Sequence, residues 1–155
     1  MAGRILEEIK QTKPFASPRE EALVSLLRTA AIVEHALGDA LRPLGLTHTQ
    51  YNVLRILKGA GAAGLCGREV GERLISRVPD VPRLLERMSD QGLIRRDRDR
   101  ADRRHVTTRL TENGSRILAR ATARLEELAA VRFDRLDAGQ SAQLVDLLEA
   151  VRATD

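Results

Sequence analysis

The densest chemistry in the chain lies between Leu93 and Asn113, in the run LIRRDRDRADRRHVTTRLTEN. From Arg95 to Arg109 it holds seven arginines and three aspartates, a net charge of +4. The whole chain, with 26 basic and 22 acidic side chains, is also +4. The excess charge is therefore concentrated in one short segment and the remainder is balanced. A concentrated set of guanidinium groups suits a phosphate backbone better than a small substrate. Nucleic acid is the partner this segment points to.

The segment reads as a β-hairpin, with strands from Leu93-Ile94 to Arg98 and from His105 to Leu110 around a charged, turn-prone loop at 99–104. An arginine at such a tip can enter the narrow, electronegative minor groove of duplex DNA. Arg100 and Arg103 are the candidates. The aspartates have a role too, since a carboxylate can hold a guanidinium in a fixed fork. Arg95, Arg96, Arg98 and Arg104 are expected as phosphate neighbours or supports of the hairpin. The competing reading is a solvated hairpin whose charges only prevent edge-to-edge pairing.

The elements that must position this hairpin follow from capping signals and apolar spacing. Ile5, Leu6 and Ile9 form a short amphipathic run ended by Pro14. Ser17-Pro18-Arg19-Glu20 then opens a helix with a capping box. Leu23, Leu26, Leu27, Ala30, Val33, Leu37 and Leu41 give it one buried stripe, and Pro43 and Gly45 end it. Thr47 and Gln50 box the next helix, with Tyr51, Val53, Leu54 and Leu57 inside. Residues 59–64 read as a loop and Leu65-Cys66 as one strand rung.

A third helix is expected from about Arg68 to Ile75, then a short break at 76–79 and a fourth helix to Gln91. Val81, Leu84, Leu85 and Met88 are its buried set, with Gly92 as the stop. Thr111 caps a long helix with Ile117, Leu118, Ala121, Leu125, Leu128 and Val131 on one side. Asp137 with Gln140 opens the last helix, carrying Leu144, Val145, Leu147, Leu148 and Val151. The order is that of a mainly α protein with a small β-wing, a winged helix-turn-helix flanked by helices from both ends of the chain. The flanking stripes hold more Leu and Val than three helices can bury alone, so an interface between two copies is expected from residues 5–37 and 115–151.

Composition narrows the function. Aromatic residues are 2% of the chain, which disfavours modules that stack single-stranded bases on rings. Cys66 is the one cysteine, so an intramolecular disulfide is excluded. No start-proximal apolar region and no run near the roughly 20 apolar residues of a membrane span appear, so a cytoplasmic protein without membrane contact is expected. There is no phosphate-cradling glycine loop, no G-x-S-x-G elbow and no H-E-x-x-H. No catalytic residue and no cofactor are therefore assigned. His35, His48 and His105 are widely spaced and form no metal-ligand cluster.

In a helix-turn-helix the second helix buries one face and offers the other to the major groove. The exposed set here is Arg77, Pro79, Asp80, Pro82, Arg83 and Arg87. Arg83 suits a guanine edge or a phosphate, Asp80 a cytosine amino group, and Pro82 a thymine methyl. The plainer readings are that Asp80 caps the helix and that Arg87 pairs with an acid.

LGLTHTQYNVLRIL at 44–57, RLLERMSDQGLIRR at 83–96 and DRADRRHVTTRLTENG at 99–114 together resemble the MarR family, the multiple-antibiotic-resistance-type transcriptional regulators. With the helix order, the resemblance extends over roughly residues 20–152. It implies a homodimer that binds a pseudo-palindromic operator in double-stranded DNA and represses nearby genes, relieved by a small-molecule effector or by oxidation. It implies dimerisation helices at 1–45 and 113–155 around a DNA-binding lobe at 46–112. It also implies that Asp102 braces Arg100 or Arg103, and that a ligand crevice forms beside His48, Tyr51 and Arg55. Tyr51 has the plainer reading of a core residue.

The chain departs from the family where Pro79, Asp80 and Pro82 replace the usual Ser and Thr of the recognition helix, so the operator sequence does not carry over. The family's peroxide sensors place a cysteine near the start of the first long helix, where this chain has none, and Cys66 reads as a plain buried cysteine. Two alternatives from other classes stand beside this reading. One is a helical protein-interaction factor without DNA binding, favoured by the two prolines. The other is a small-molecule-binding protein using the interlobe crevice.

Overall fold

The computed structural model describes residues 4–98 and 106–153. Helix α1 (Ile5–Glu8) is a single turn that buries Ile5 against α2 (Pro18–Leu41). Ser17 caps α2 by accepting the Glu20 N–H at 3.2 Å. The expected capping box closes differently, because the Glu20 carboxylate takes the Ala16 N–H rather than that of Ser17. The next helix, α3 (His48–Ala60), has the full box: Thr47 Oγ1 accepts the Gln50 N–H, and Gln50 Oε1 accepts the Thr47 N–H.

Helix α3 is the centre of the molecule. Tyr51, Val53, Leu54 and Leu57 on it are buried, and Leu65, Val70, Leu84, Leu85, Met88, Leu93, Ile94, Leu118 and Ala121 close around them. Each fully buried leucine contributes about 1.5–3 kcal/mol by leaving water. The helix runs two residues into the expected loop, and a short 3-10 turn at Gly61–Ala63 follows. Strand β1 (Leu65–Cys66) then pairs antiparallel with β3 (Val106–Leu110), which pairs with β2 (Ile94–Arg98). The sheet order is β1-β3-β2, the base of a wing.

Between β1 and β2 lie α4 (Gly67–Arg73) and α5 (Val81–Asp90), the helix-turn-helix. Two expectations change here. Helix α4 stops at Arg73 rather than Ile75, since Leu74 turns extended (ψ 140) and the Ile75 N–H goes to the Asn52 side chain. The connection to α5 is correspondingly longer, and Pro79 stands before the helix rather than in it. Asp80 is the cap, its Oδ1 accepting the Arg83 N–H at 2.9 Å. Pro82 sits in the first turn, where its missing N–H costs no helical bond.

Gly92 ends α5 with φ 68, a left-handed conformation that glycine adopts freely. The Leu93 N–H returns to the Met88 carbonyl and the Gly92 N–H to that of Ser89. Thr111 then caps α6 (Glu112–Arg132) by accepting the Gly114 N–H at 2.9 Å. Its hydroxyl also lies 2.7 Å from the Gly92 carbonyl and 3.0 Å from that of Leu93. Asp137 and Gln140 box the last helix, α7 (Ala138–Arg152), as expected.

The apolar stripes of α2 and α7 do not behave as core. Leu23 and Leu27 are more than half exposed, Leu41 is the one buried residue of α2, and α7 buries none of its residues. Val131, Phe133, Val145, Leu147 and Val151 extend the same exposed apolar surface. The spacing that predicts burial is real, but one chain supplies no surface to cover it.

Gly114 sets a sharp limit on the sequence. A Cβ built there would lie 1.9 Å from the Leu93 carbonyl oxygen, so the start of α6 must move if a methyl is added. Gly114→Ala is expected to cost about 1–3 kcal/mol, the range for overpacking a closed site. Urea denaturation checks this, and an unchanged midpoint would contradict the close approach.

Candidate nucleic-acid interface

The recognition helix α5 has a strict division of faces. Leu84, Leu85 and Met88 are buried and Val81 is half-buried, so Arg83 and Arg87 project outward. Arg77, Pro79, Asp80 and Pro82 are exposed at its N-terminal approach. All six residues expected on this surface are therefore accessible together. Arg77, Arg83 and Arg87 have no ion-pair partner among the described residues, so the plainer reading of Arg87 as half of a surface pair has no support in the geometry. The plainer reading of Asp80 does: one of its oxygens is engaged as the helix cap.

The prolines also take defined places. With Pro79 in the approach and Pro82 in the first turn, α5 keeps its helical bonds. The feature that favoured a protein-interaction factor therefore leaves the helix intact as a reading element.

The wing separates its arginines by face. Directly opposed residues in an antiparallel pair share a face, and Ile94, Arg96 and Arg98 stand opposite Leu110, Thr108 and Val106. That face meets α5, where Arg96 and Arg98 border a small groove with Glu86 and Asp90. Arg95, Asp97 and Arg109 lie on the other face. Arg95 and Arg109 are register partners, and like charges directly opposed repel. Asp97 offsets this by lying 2.8 Å from Arg109 Nη1 and 3.4 Å from Arg95 Nε. Arg109 Nε also donates to the Ala62 carbonyl at 2.8 Å, tying the wing to the turn after α3.

Arg95 and Arg96, expected in one role, thus occupy two environments. Arg100, Asp102 and Arg103, expected at the wing tip, lie outside the described residues, as do Arg104 and His105. Arg68 on α4 is drawn above its ordinary pKa by its hydrogen bond to Glu72 and by that carboxylate's charge.

A cleft of about 940 Å³ opens between α3 and α6. His48, Tyr51 and Arg55 line it, the three residues expected beside a ligand crevice. Tyr51 is nevertheless mostly buried, with its hydroxyl 3.4 Å from Thr122 Oγ1, so it belongs to both core and cleft. Asn52, Lys58, Ile75 and Thr122 also line this space and were not singled out from sequence. Asn52 follows Tyr51 on α3, which is the one local signal that pointed to it. Cys66 is half-buried in β1, and the described residues contain no cluster of metal-ligating side chains.

With this geometry in place, the comparisons with known proteins are decisive. A sequence model of the MarR family matches residues 46–106. The transcriptional regulator HosA of Escherichia coli O157:H7 is 30% identical over 121 residues, covering 78% of this chain and 84% of HosA. The chain belongs to the MarR family.

The HTH-type transcriptional regulator TtmR of Methylorubrum extorquens is 40% identical over 84 residues, 52% of this chain and 42% of TtmR. The chain thus matches less than half the length of that larger relative. Among solved structures, CouR from Rhodococcus jostii RHA1 bound to p-coumaroyl-CoA aligns with a TM-score of 0.74 at 26% identity. That alignment covers 91% of this chain and 99% of CouR, so this MarR protein shares the fold over most of its length.

The Asp97–Arg109–Ala62 contacts give a test of how the wing is held. Arg109→Ala is expected to speed amide exchange in β2, β3 and the Gly61–Ala63 turn while moving the melting temperature little. Exposed ion pairs contribute about 0–1 kcal/mol. Exchange rates equal to those of the wild type would mean that backbone pairing alone fixes the wing.

Proposed function

We propose that this protein is a homodimeric transcriptional regulator that binds a pseudo-palindromic operator in double-stranded DNA and represses nearby genes until a small molecule occupies its cleft. The observation that carries the reading is α5 with its approach, which together offer Arg77, Arg83 and Arg87 without acid partners among the described residues, beside an arginine-rich wing. Two such helices related by a twofold axis would enter successive major grooves about 34 Å apart. The wing tips, where Asp102 would brace Arg100 or Arg103, would reach the flanking minor grooves.

In this reading residues 46–112 form the DNA-binding lobe. Residues 1–45 and 113–155 form the dimerisation helices, which accounts for the uncovered apolar faces of α2 and α7. The regulators it matches are not enzymes, and nothing in its role calls for catalysis or a cofactor. Among the described residues no helix is long and apolar enough to cross a membrane. A DNA-binding role supports the reading of a cytoplasmic protein. That CouR holds p-coumaroyl-CoA supports the small-molecule part of the reading. A ligand acts here only through different affinities for DNA-competent and DNA-incompetent arrangements.

Two experiments test this. Sedimentation at micromolar concentration should show a dimer, and a stable folded monomer would overturn the assembly. Duplexes selected from a random library should give a symmetric site, on which Arg83→Ala relaxes preference at one symmetric pair of positions. A bidentate arginine–guanine pair supplies roughly 1–3 kcal/mol of discrimination. Titrations on matched and mismatched duplexes at several salt concentrations decide it. A loss equal on all sequences, with a lower salt slope, would make Arg83 a phosphate contact instead.

A further inference from the structure

The side chain of Asn52 belongs to two neighbourhoods at once. It stands on α3 among the residues that line the cleft, and its Oδ1 accepts the Ile75 N–H at 2.9 Å. Ile75 lines the same cleft and is 74% exposed, unusual for a large apolar side chain. It begins the segment that leads into the recognition helix, with Arg77 two residues on and the Asp80 cap at its end. Among the described residues, no other hydrogen bond ties 75–79 to the rest of the molecule.

We propose that Asn52 is a positioning residue that couples the cleft to the recognition helix. Its carboxamide holds the Ile75 amide, and so fixes the approach to α5, only while the cleft is empty. The proposal rests on the reading of the cleft as an effector site, and adds the route by which occupancy reaches DNA.

Two features of the site give the route its chemistry. A polar group entering beside Asn52 competes for the same carboxamide. An apolar group entering beside Ile75 covers a side chain that is otherwise in water, and draws the segment with it. The bond itself is solvent-exposed, so the Ile75 N–H can exchange Asn52 for water and the link is easily broken. A contact that is cheap to break and leads directly to Arg77 and Asp80 is what a two-state element between two sites requires. The coupling must also be reciprocal, so DNA binding favours the arrangement in which the Asn52 bond is made.

The test uses a tethered occupant in the full-length protein. Thr122→Trp places an indole in the cleft, and Ala129→Trp does so from a more exposed position if the first variant does not fold. Affinity for a duplex selected with the wild-type protein is measured with and without Asn52→Ala. The tryptophan is expected to weaken binding about tenfold in the Asn52 background and to add almost nothing after Asn52→Ala. Asn52→Asp, which keeps an acceptor for the Ile75 N–H, should restore the effect of the tryptophan.

The salt slope should be the same throughout, because no phosphate contact is removed. Exchange of the Ile75 amide, followed by NMR, should be faster in Asn52→Ala and in the tryptophan variant than in the wild type. Equal losses from the tryptophan in both backgrounds, or an Ile75 amide whose exchange rate does not change, would overturn the coupling and leave the effector site standing. Full affinity in both tryptophan variants would remove the effector site, and this proposal with it.

Discussion

The carbonyl of Leu93 is where three elements of this protein are tied together. It follows the left-handed Gly92 that ends α5, it opens the wing, and it accepts the Thr111 N–H at 3.2 Å. The Thr111 hydroxyl lies against it and caps α6 through Gly114, whose missing Cβ allows the approach. The recognition helix, the wing and the long helix that leads toward the exposed apolar faces thus share one junction of a few atoms. A change in the pitch of α6 is felt at this junction by both DNA-facing elements. Rigidity there lets a fold with so small a sheet hold two arginine-bearing surfaces in fixed relation.

The opposite end of α5 is built on another principle. Its approach is held by a cap, Asp80, and by one bond from a side chain on α3. The C-terminal end is therefore fixed by backbone pairing, and the N-terminal end by exposed polar contacts together with Val78 and Val81, which are only partly buried against the core. Local stability is uneven in proteins, and moving parts are drawn from its lower end. The helix is anchored where it meets the wing and adjustable where its first turn faces outward.

What could be read from the sequence follows the range of the forces involved. Helix starts were legible because caps act over three residues: Thr47 with Gln50, Thr111 with Gly114 and Asp137 with Gln140 all stand where the pattern places them. The hairpin was legible because alternating charge and two β-rich runs leave few other choices. The end of α4 was not, because it is set by Asn52, distant in sequence and silent in any local window. The division of the wing arginines escaped for the same reason, since Arg109 is fixed by the Ala62 carbonyl and by Asp97 across the hairpin. The stripes of α2 and α7 were visible as patterns, but a pattern does not say whether the covering surface is in the same chain. In the site itself, the accessible set on α5 was legible from one buried face, whereas the cleft gained Asn52, Lys58, Ile75 and Thr122 only from packing.

One further consequence follows from the position of Tyr51. The protein has a single tyrosine and no tryptophan, so its near-ultraviolet emission comes almost wholly from one ring. That ring is mostly buried, borders the cleft and has its hydroxyl near Thr122 on the facing helix. The molecule consequently carries an intrinsic optical label at the place where α3 and α6 face each other. A shift in the spacing of those helices, or a molecule entering between them, changes the polarity and hydrogen bonding felt by that label. Its fluorescence is a gauge of the cleft that needs no dye and no substitution.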